Sequence, residues 1–483
     1  MRPLEIIIPV LLAAYLLWPV LFGKRSMVAE LLPAAGVLLM LLHFVIEGYR
    51  WQMVPLYGLV LFFLTLSLWH LIRGGARERS LRTNRVPGAI IGLLVVAAAA
   101  ALPVLLPVPV LLRPTGPYAV GTYSFLQVDT SRKELYSNNP TDPRRLMVQV
   151  WYPATVEKGS RPGRWMENVQ IIGPAIVRRI TSGRLELPSF FLDHLTLART
   201  HSYPSAPFVS GDKAFPVLLF SHGWGGFRGQ NTNLAEELAS HGYVVFAVDH
   251  TYGAAATIFP DGEVIFHNLD TLPSDLPPAE YYQAANRLVK QWAGDLAYVL
   301  DTATTLNEND PLGRFTDRLD LERVGVFGHS TGGGAAVEFC AGDQRCKAGL
   351  GMDPYLVPVS KTVLEGGLSQ PFLYMFSEYW SSDTNLSLFD ELFGAEGNGS
   401  NRYRLDIAGT DHYDFTDLPL LTPLAYRLGL KGPLPSSEVL HIVDTTVLTF
   451  FDSLFQPDSQ TSFPNDLEKY KNATLTVINV NPG

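Results

Sequence analysis

Four long apolar runs in the first 112 residues limit what this chain can fold into more than any other feature. Each run is about 19 to 24 residues long, enough for a helix to cross a hydrocarbon layer of roughly 30 Å. The runs cover residues 4–22, 27–46, 54–72 and 89–112. They predict a region of four transmembrane helices over residues 1–112, followed by a second domain over 113–483. We expect no ion pair within the runs, so the region is interpreted as an anchor.

Basic residues predict the orientation of these helices. The first loop carries Lys24 and Arg25, and the third loop carries five arginines between residues 73 and 85. Lysine and arginine beside a spanning helix tend to stay in the cytoplasm. Four crossings then place both chain ends outside, so we expect a multi-pass protein of the plasma (inner) membrane with an extracytoplasmic C-terminal domain.

Charge and cysteine content narrow the function classes. Residues 1–112 hold nine Lys and Arg against four Asp and Glu, and the whole chain has a net charge of −9, which leaves −14 for the remainder. An acidic domain without a basic stripe argues against nucleic acid as a partner. Cys340 and Cys346 have no zinc-ligand spacing, and a disulfide between them is expected only outside the cytoplasm.

Beyond residue 113, short apolar strands alternate with amphipathic helices. This rhythm predicts an α/β fold with a mostly parallel central sheet and helices on both faces, as in α/β-hydrolases. A proline-containing stretch, residues 253–279, interrupts the rhythm and is expected to cover a site. The predicted strands are residues 118–128, 145–152, 216–220, 243–249, 323–327, 348–352, 371–377 and 402–407.

The sequence Gly328-His329-Ser330-Thr331-Gly332 fits the pattern G-x-S-x-G. It follows a short apolar strand and precedes a helix start rich in small residues, which is the setting of a nucleophile elbow. The sequence therefore predicts Ser330 as a catalytic nucleophile.

A nucleophilic serine needs a base, and an acid to orient that base. His412 follows a strand in a polar turn and is the expected base. A rival interpretation takes Asp411, His412 and Asp414 as metal ligands, but ligands so close in one loop chelate poorly without distant partners. Two acids compete for the third role, because Asp353 and Glu378 both follow strands. The residues alone leave this choice open.

An oxyanion hole requires two backbone N–H donors. Thr331, the residue after the nucleophile, is expected to supply one of them. The glycine-rich loop that begins at Ser221 follows an earlier strand, and Trp224 is the candidate for the other. An ordinary strand–helix turn is the alternative interpretation of this loop.

Six ordered blocks resemble the plasma-type platelet-activating-factor acetylhydrolases and their bacterial relatives. The resemblance implies an α/β-hydrolase fold and calcium-independent ester hydrolysis, without metal or cofactor. It also implies a triad of Ser330, Asp353 and His412, with Glu378 as a structural partner. The blocks are FSHGWGGFRG (220–229), LASHGYVVFAVDH (238–250), GHSTGGG (328–334), GLGMDPYLVPV (349–359), QPFLYMFSEYW (370–380) and GTDHYDFTDL (409–418).

The chain departs from this family in its apolar runs and in residues 156–200 and 253–279, which shape the acyl pocket. We expect an apolar cleft lined by aromatic side chains, each of which has core packing as its alternative role. The expected substrates are phospholipids with short or oxidised acyl chains, met at a lipid bilayer. A general short-chain carboxylesterase or polyester hydrolase is the alternative, and an inactive membrane receptor or scaffold is the non-enzyme alternative. The cleft residues are Trp224, Phe227, Tyr355, Trp380 and Phe415.

Overall fold

The chain forms two compact units. The helical unit comprises Met1–Pro109 with two short later segments, Phe190–Ala198 and Leu421–Leu424, and the sheet unit comprises the remainder. The computed structural model describes residues 1–23, 26–72, 82–181, 183–380, 382–396 and 399–478, without the side chains of 82–85.

Four helices of the helical unit are long and apolar enough to cross a membrane, by length and composition. A π-helical turn, His43–Glu47, extends α2, and a 3-10 turn, Trp51–Met53, precedes α3. The fourth helix ends before Pro107 and Pro109, as expected for residues that cannot donate to a helix. The basic loop residues behind the predicted orientation lie outside the described side chains. The helices are α1 (Pro3–Leu21), α2 (Met27–Leu42), α3 (Val54–Ile72) and α4 (Arg82–Leu105).

A buried charge cluster joins the helix ends of this unit. Glu5 of α1 accepts hydrogen bonds from Arg50 Nε at 2.7 Å and Nη2 at 2.6 Å, and further bonds from Arg2. Arg50 also donates to the carbonyl oxygens of Pro103 and Leu106 at the end of α4. Glu5 and Arg50 are almost completely buried. The cluster therefore ties α1 to the end of α4 through one guanidinium.

The apolar runs did not reveal this ion pair, which joins Glu5 near the start of the first run to Arg50 between the second and third runs. Glu5 and Arg50 are 45 residues apart, so nothing local in the sequence shows that helix packing brings them together. His43, within the second apolar run, is also fully buried, with its Nδ1 atom 2.8 Å from the Tyr57 hydroxyl.

The sheet unit contains a ten-stranded sheet in the order β12-β11-β10-β9-β8-β4-β5-β2-β1-β3. The six strands from β11 to β5 run parallel, whereas β2 and β12 pair antiparallel with their neighbours. The strands are β1 (Ala119–Lys133), β2 (Pro143–Ala154), β3 (Ser202–Pro204), β4 (Phe215–Ser221), β5 (Val244–Asp249), β6 (Ala256–Ile258), β7 (Val264–Phe266), β8 (Leu319–His329), β9 (Cys346–Met352), β10 (Phe372–Ser377), β11 (Arg402–Ile407) and β12 (Ala473–Ile478).

Helices cover both faces of this sheet. Alternate β4 residues show the two layers, since Val217 and Leu219 pack with α7 and α8, whereas Leu218 and Phe220 pack with α6 and α11. Side chains of a strand alternate between faces, so a strand buried on both sides is apolar throughout. The helices are α5 (Val169–Ile180), α6 (Thr232–Ser240), α7 (Pro278–Asn309), α8 (Thr331–Gly342), α9 (Lys361–Gly366), α10 (Asp383–Gly394) and α11 (Ser436–Phe455).

The predicted mixed α/β architecture with a large central sheet is confirmed. The sequence pattern did not reveal β12, and the interrupting stretch 253–279 contains a small hairpin of β6 and β7. Cys340, near the end of α8, and Cys346, at the start of β9, have Cα atoms 5.1 Å apart with their sulfur atoms paired. That Cα separation is within the usual range for disulfides.

Candidate active site

Ser330 lies in the sharp turn between β8 and α8, at the carboxyl edge of the parallel strands. Its backbone has φ 56° and ψ −122°, a conformation that costs free energy for a residue with a side chain. Two glycines make the turn possible. A Cβ on Gly328 would lie 2.2 Å from the Gly332 oxygen, and one on Gly332 would lie 2.1 Å from the Ser221 oxygen. The turn is held by Ser330 N–H, which donates to the Met352 oxygen at 2.9 Å.

Asp353 follows β9 and contacts the imidazole of His412. The distance from His412 Nδ1 to Asp353 Oδ2 is 3.1 Å. Asp353 is fully buried, and Ser377 donates to both of its oxygens, through N–H at 2.8 Å and the hydroxyl at 2.6 Å. Burial raises the pKa of Asp353, and the two Ser377 hydrogen bonds oppose that rise.

His412 opens a short 3-10 turn after β11. Asp411 accepts from the His412 N–H at 2.7 Å, and Asp414 accepts from the backbone N–H groups of Asp411 and Gly432. The two acids of the alternative metal interpretation are therefore engaged in holding the turn. The Trp380 ring stacks on the imidazole with centroids 4.0 Å apart. Burial lowers the pKa of His412 to about 3, which favours the neutral base.

Glu378, the competing acid, has a different contact. Its Oε2 accepts from the Gly409 N–H at 2.6 Å, in an exposed position at the start of the loop that carries His412. The structure thus brings Asp353, and not Glu378, to the imidazole. Among the described residues, no hydrogen bond joins the Ser330 hydroxyl to His412, and such contacts are often long in a hydrolase without substrate.

Two backbone N–H groups flank Ser330. Within the described parts of the chain, the N–H groups of Trp224 and Thr331 have no hydrogen-bond acceptor. A Cβ on Gly223 would lie only 3.2 Å from Ser330 Cβ, so the loop after β4 passes directly beside the nucleophile turn. Free N–H groups in this position can donate hydrogen bonds to a developing oxyanion.

His222 orients the Gly223–Trp224 peptide. Its Nδ1 atom donates to the Gly223 oxygen at 2.7 Å, and that oxygen also accepts from the Gly226 N–H. In a trans peptide the oxygen and the N–H point in opposite directions. Holding the Gly223 oxygen therefore fixes the Trp224 N–H on the other side of the peptide. The His250 N–H donates to His222 Nε2 at 3.1 Å, which sets the tautomer of His222.

A buried relay of charged and polar groups lies behind this loop. Arg144 forms a two-point ion pair with Asp295, at 3.0 and 2.6 Å, and Asp295 accepts from His250 Nδ1 at 2.9 Å. The Ser221 hydroxyl lies 2.9 Å from His250 Nε2. Burial raises the pKa of Asp295, but Arg144 and His250 hold it well below its usual range. Burial lowers the pKa of His250 to about 3.

Ser221, His250 and Asp295 have the connectivity of a second triad, but their side chains are fully enclosed. Substrate cannot reach Ser221, so the relay positions the loop. Sequence reasoning missed it, because the partners are 29 and 45 residues apart. Its one local signal is a histidine directly after the apolar strand β5.

The predicted cleft aromatics lie in different surroundings. Trp380 stacks on His412, and Tyr355 shares a 2.7 Å hydroxyl contact with Tyr281 and donates its backbone N–H to the Ser330 oxygen. Phe415 is fully buried among the residues that pack under α11, so it has the alternative role of core packing. Phe227 lines a cavity of about 140 Å³ whose lining includes neither Ser330 nor His412.

Among the described residues, one group of acidic and histidine side chains has metal-ligand spacing, namely Glu5, His43 and Glu47 of the helical unit. Arg2 and Arg50 already pair with Glu5 there, and their charges oppose a cation at that position. No such group occurs around Ser330 in the part of the chain that the structure describes.

Known proteins resemble this chain over about half to three quarters of its length. The platelet-activating factor acetylhydrolase of Cavia porcellus is 26% identical over 51% of this chain and 58% of its own length. A probable 1-alkyl-2-acetylglycerophosphocholine esterase of Arthroderma benhamiae is 26% identical over 77% of this chain and 95% of its own. A solved ferulic acid esterase from Streptomyces cinnamoneus is 26% identical, with a TM-score of 0.58, and covers 76% of this chain and 99% of its own.

The chain spans between 57% and 63% of the length of the vertebrate relatives that it matches. The family described as platelet-activating factor acetylhydrolase, isoform II, matches residues 110–264 and 280–470. This match covers well over half of the chain and includes every residue of the site around Ser330. The chain belongs to the isoform II family of platelet-activating factor acetylhydrolases.

Proposed function

We propose that this protein is a membrane-anchored serine ester hydrolase that works through an acyl-enzyme. One observation carries the proposal: a strained serine turn, an Asp353–His412 pair and two free backbone amides meet at one edge of the sheet. This set contains the nucleophile, the base with its orienting acid, and the oxyanion donors that acyl transfer requires.

These contacts support the following mechanism. Ser330 Oγ attacks the ester carbonyl carbon while His412 Nε2 takes its proton, and Asp353 holds the Nδ1–H tautomer and stabilises the imidazolium. The N–H groups of Trp224 and Thr331 bind the oxyanion of the tetrahedral intermediate. Collapse of this intermediate expels the alcohol, which receives its proton from His412. Water then attacks the acyl-enzyme by the same steps and releases the carboxylic acid.

The proposed substrates are phospholipids with short or oxidised acyl chains. Family membership and the name of the fungal relative, a 1-alkyl-2-acetylglycerophosphocholine esterase, support this class. A general carboxylesterase acting on simple or aromatic esters is the second candidate. The similarity to a ferulic acid esterase, over about three quarters of this chain, favours it.

The four helices of the helical unit are proposed to anchor the protein in the plasma (inner) membrane, with the sheet unit on the extracytoplasmic side. Their length and apolar composition support the anchor, and the loop arginines and lysine support the orientation. A Cys340–Cys346 disulfide belongs to the same proposal, because disulfides persist in oxidising compartments.

A fluorophosphonate probe tests the enzyme proposal. We expect wild-type protein in membranes or mild detergent to be labelled, and Ser330→Ala protein to remain unlabelled at equal expression. Absence of labelling in folded wild-type protein would favour an inactive receptor or scaffold. A panel of 2-acetyl phospholipids and simple aryl acetates then separates the two substrate classes by their kcat/KM values.

A further inference from the structure

An arginine side chain lies against the loop that supplies the Trp224 amide. Arg179, near the end of α5, has its guanidinium carbon 4.0 Å from the centroid of the Trp224 ring. Gly225 has φ +74°, and a Cβ there would lie 2.5 Å from Arg179 Cγ and 2.8 Å from Nε. The stem of the arginine therefore packs directly on the loop backbone, in space that only glycine leaves open.

The charge of Arg179 has no counterion among the described residues. No ion pair to Arg179 occurs in the described part of the chain, and its Nε atom is enclosed without an acceptor. Burial lowers the pKa of Arg179, and the nearby Tyr413 opposes that shift. A carboxylate or a phosphate is the usual partner of a partly buried guanidinium. The unused donors therefore point to an anionic ligand.

The Trp224 ring forms a fixed platform for the guanidinium. Its indole N–H donates to the Thr271 hydroxyl at 2.6 Å, and the His267 ring meets it edge-on with centroids 4.5 Å apart. Stacking on an aromatic face leaves the N–H groups around the edge of a guanidinium free to bind a planar or tetrahedral anion.

This platform belongs to the immediate surroundings of the reacting atoms. Gly223, at one end of the three-residue segment 223–225, is in contact range of Ser330, and Gly225, at the other end, touches Arg179. Tyr413, whose pKa is raised by burial and lowered by Arg179, directly follows His412. Arg179 and Ser330 therefore lie against opposite ends of the same short segment.

We propose that Arg179 binds the phosphodiester on the alcohol side of a phospholipid substrate and so determines specificity for phosphate-bearing esters. This inference rests on the proposed ester hydrolase function. In a glycerophospholipid, the phosphate is attached to the carbon next to the one that carries the scissile 2-acyl ester. A diradylglycerol of the same acyl group lacks that charge, and the difference between the two substrates isolates the interaction.

The experiment compares kcat/KM for 1-alkyl-2-acetylglycerophosphocholine and 1-alkyl-2-acetylglycerol, both with a short alkyl chain and below their micelle concentrations. Full-length protein in detergent is used. Arg179→Gln should lower the ratio of the two values by about 10- to 100-fold, the range expected for a charge-assisted hydrogen bond. Arg179→Lys keeps the charge but not the two-point geometry, so it should lower this ratio less than Arg179→Gln does. Arg178→Gln, an exposed neighbour on the same helix, is the matched control and should leave the ratio unchanged.

Several outcomes would overturn the inference. An unchanged ratio in Arg179→Gln would mean that the side chain only supports Trp224. An equal fall in Arg178→Gln would indicate a diffuse charge effect. A fall confined to acyl chains ending in a carboxylate, with no change for the phosphate pair, would place the anion on the acyl side. If the wild type hydrolysed only the acetylglycerol, the phosphate-site proposal would be wrong and the esterase proposal would stand. Hydrolysis of neither substrate would overturn both proposals.

Discussion

Both units of this protein bury an arginine paired with a carboxylate, beside a histidine, yet the two networks end on different groups. In the helical unit, Arg50 and Glu5 connect to carbonyl oxygens at the end of α4. In the sheet unit, the Arg144–Asp295 pair connects through His250 to the loop that carries the candidate oxyanion donor. Burying an ion pair costs desolvation free energy, and removing only one of its two charges is strongly destabilising. The position of such a pair therefore decides whether removal of one partner lowers the stability of the protein or its activity.

The largest expected effect lies where a buried carboxylate touches the base itself. Asp353→Asn should leave the protein folded and lower kcat by about 10³- to 10⁴-fold, because the amide favours the wrong tautomer of His412. Glu378→Gln, which alters a loop contact, should cost far less. Steady-state kinetics on an aryl acetate, normalised by fluorophosphonate titration, measures both. The reverse ranking would mean that Glu378, and not Asp353, is the acid that orients His412.

Substitutions in the Glu5–Arg50 pair of the helical unit should change stability but not activity. Arg50→Met removes the fully buried arginine partner of Glu5, leaves Arg2 beside that carboxylate, and should lower the free energy of unfolding of this unit by about 3–5 kcal/mol. The double variant Glu5→Gln/Arg50→Met removes both charges and should recover much of the loss. Thermal unfolding in detergent measures stability, and kcat per titrated site should stay at the wild-type value. A fall in kcat in both variants would show that this cluster also serves the chemistry.

Substitutions in the loop beside the buried relay should lower kcat. His222→Asn keeps a side-chain N–H donor for the Gly223 oxygen, whereas His222→Gln places its polar groups farther out, near the former Nε2 acceptor. Misorienting one oxyanion donor should lower kcat by about 10- to 100-fold in the glutamine variant, with KM little changed. The asparagine variant should retain more activity. Equal losses in both variants, accompanied by lower thermal stability, would mean that His222 only packs.

Local sequence patterns predicted much of this structure, but they did not predict the pairs of residues that are distant in the chain. The turn around Ser330 and the position of His412 were predictable because a strand, a small-residue turn and a helix start follow one another in the chain. The choice between Asp353 and Glu378 needed the family resemblance, because both follow strands and only the fold shows which one faces the imidazole. Ser377, which holds Asp353, and the Glu5–Arg50 pair have no periodic or motif signal, since their partners are 24 and 45 residues away.

The smallest predicted effect is a shift in pH dependence caused by Ser377. Its hydroxyl donates to Asp353 Oδ2 at 2.6 Å and stabilises the carboxylate against the effect of burial. Ser377→Ala removes that bond, so the pKa of Asp353 should rise. Because the ionised carboxylate is the form that orients and charges the base, the acid limb of kcat/KM should move to higher pH by about one to two units.

The pH profile distinguishes this role from simple packing. Burial keeps the pKa of His412 near 3, so the ionisation of Asp353, and not that of His412, is expected to set the acid limb. In Ser377→Ala, activity should approach the wild-type value at high pH and fall away earlier as the pH decreases. A uniform loss at every pH, with an unmoved acid limb, would mean that Ser377 only packs against Asp353. The backbone N–H of residue 377 would then supply the electrostatic support alone, as it does for Asp353 Oδ1.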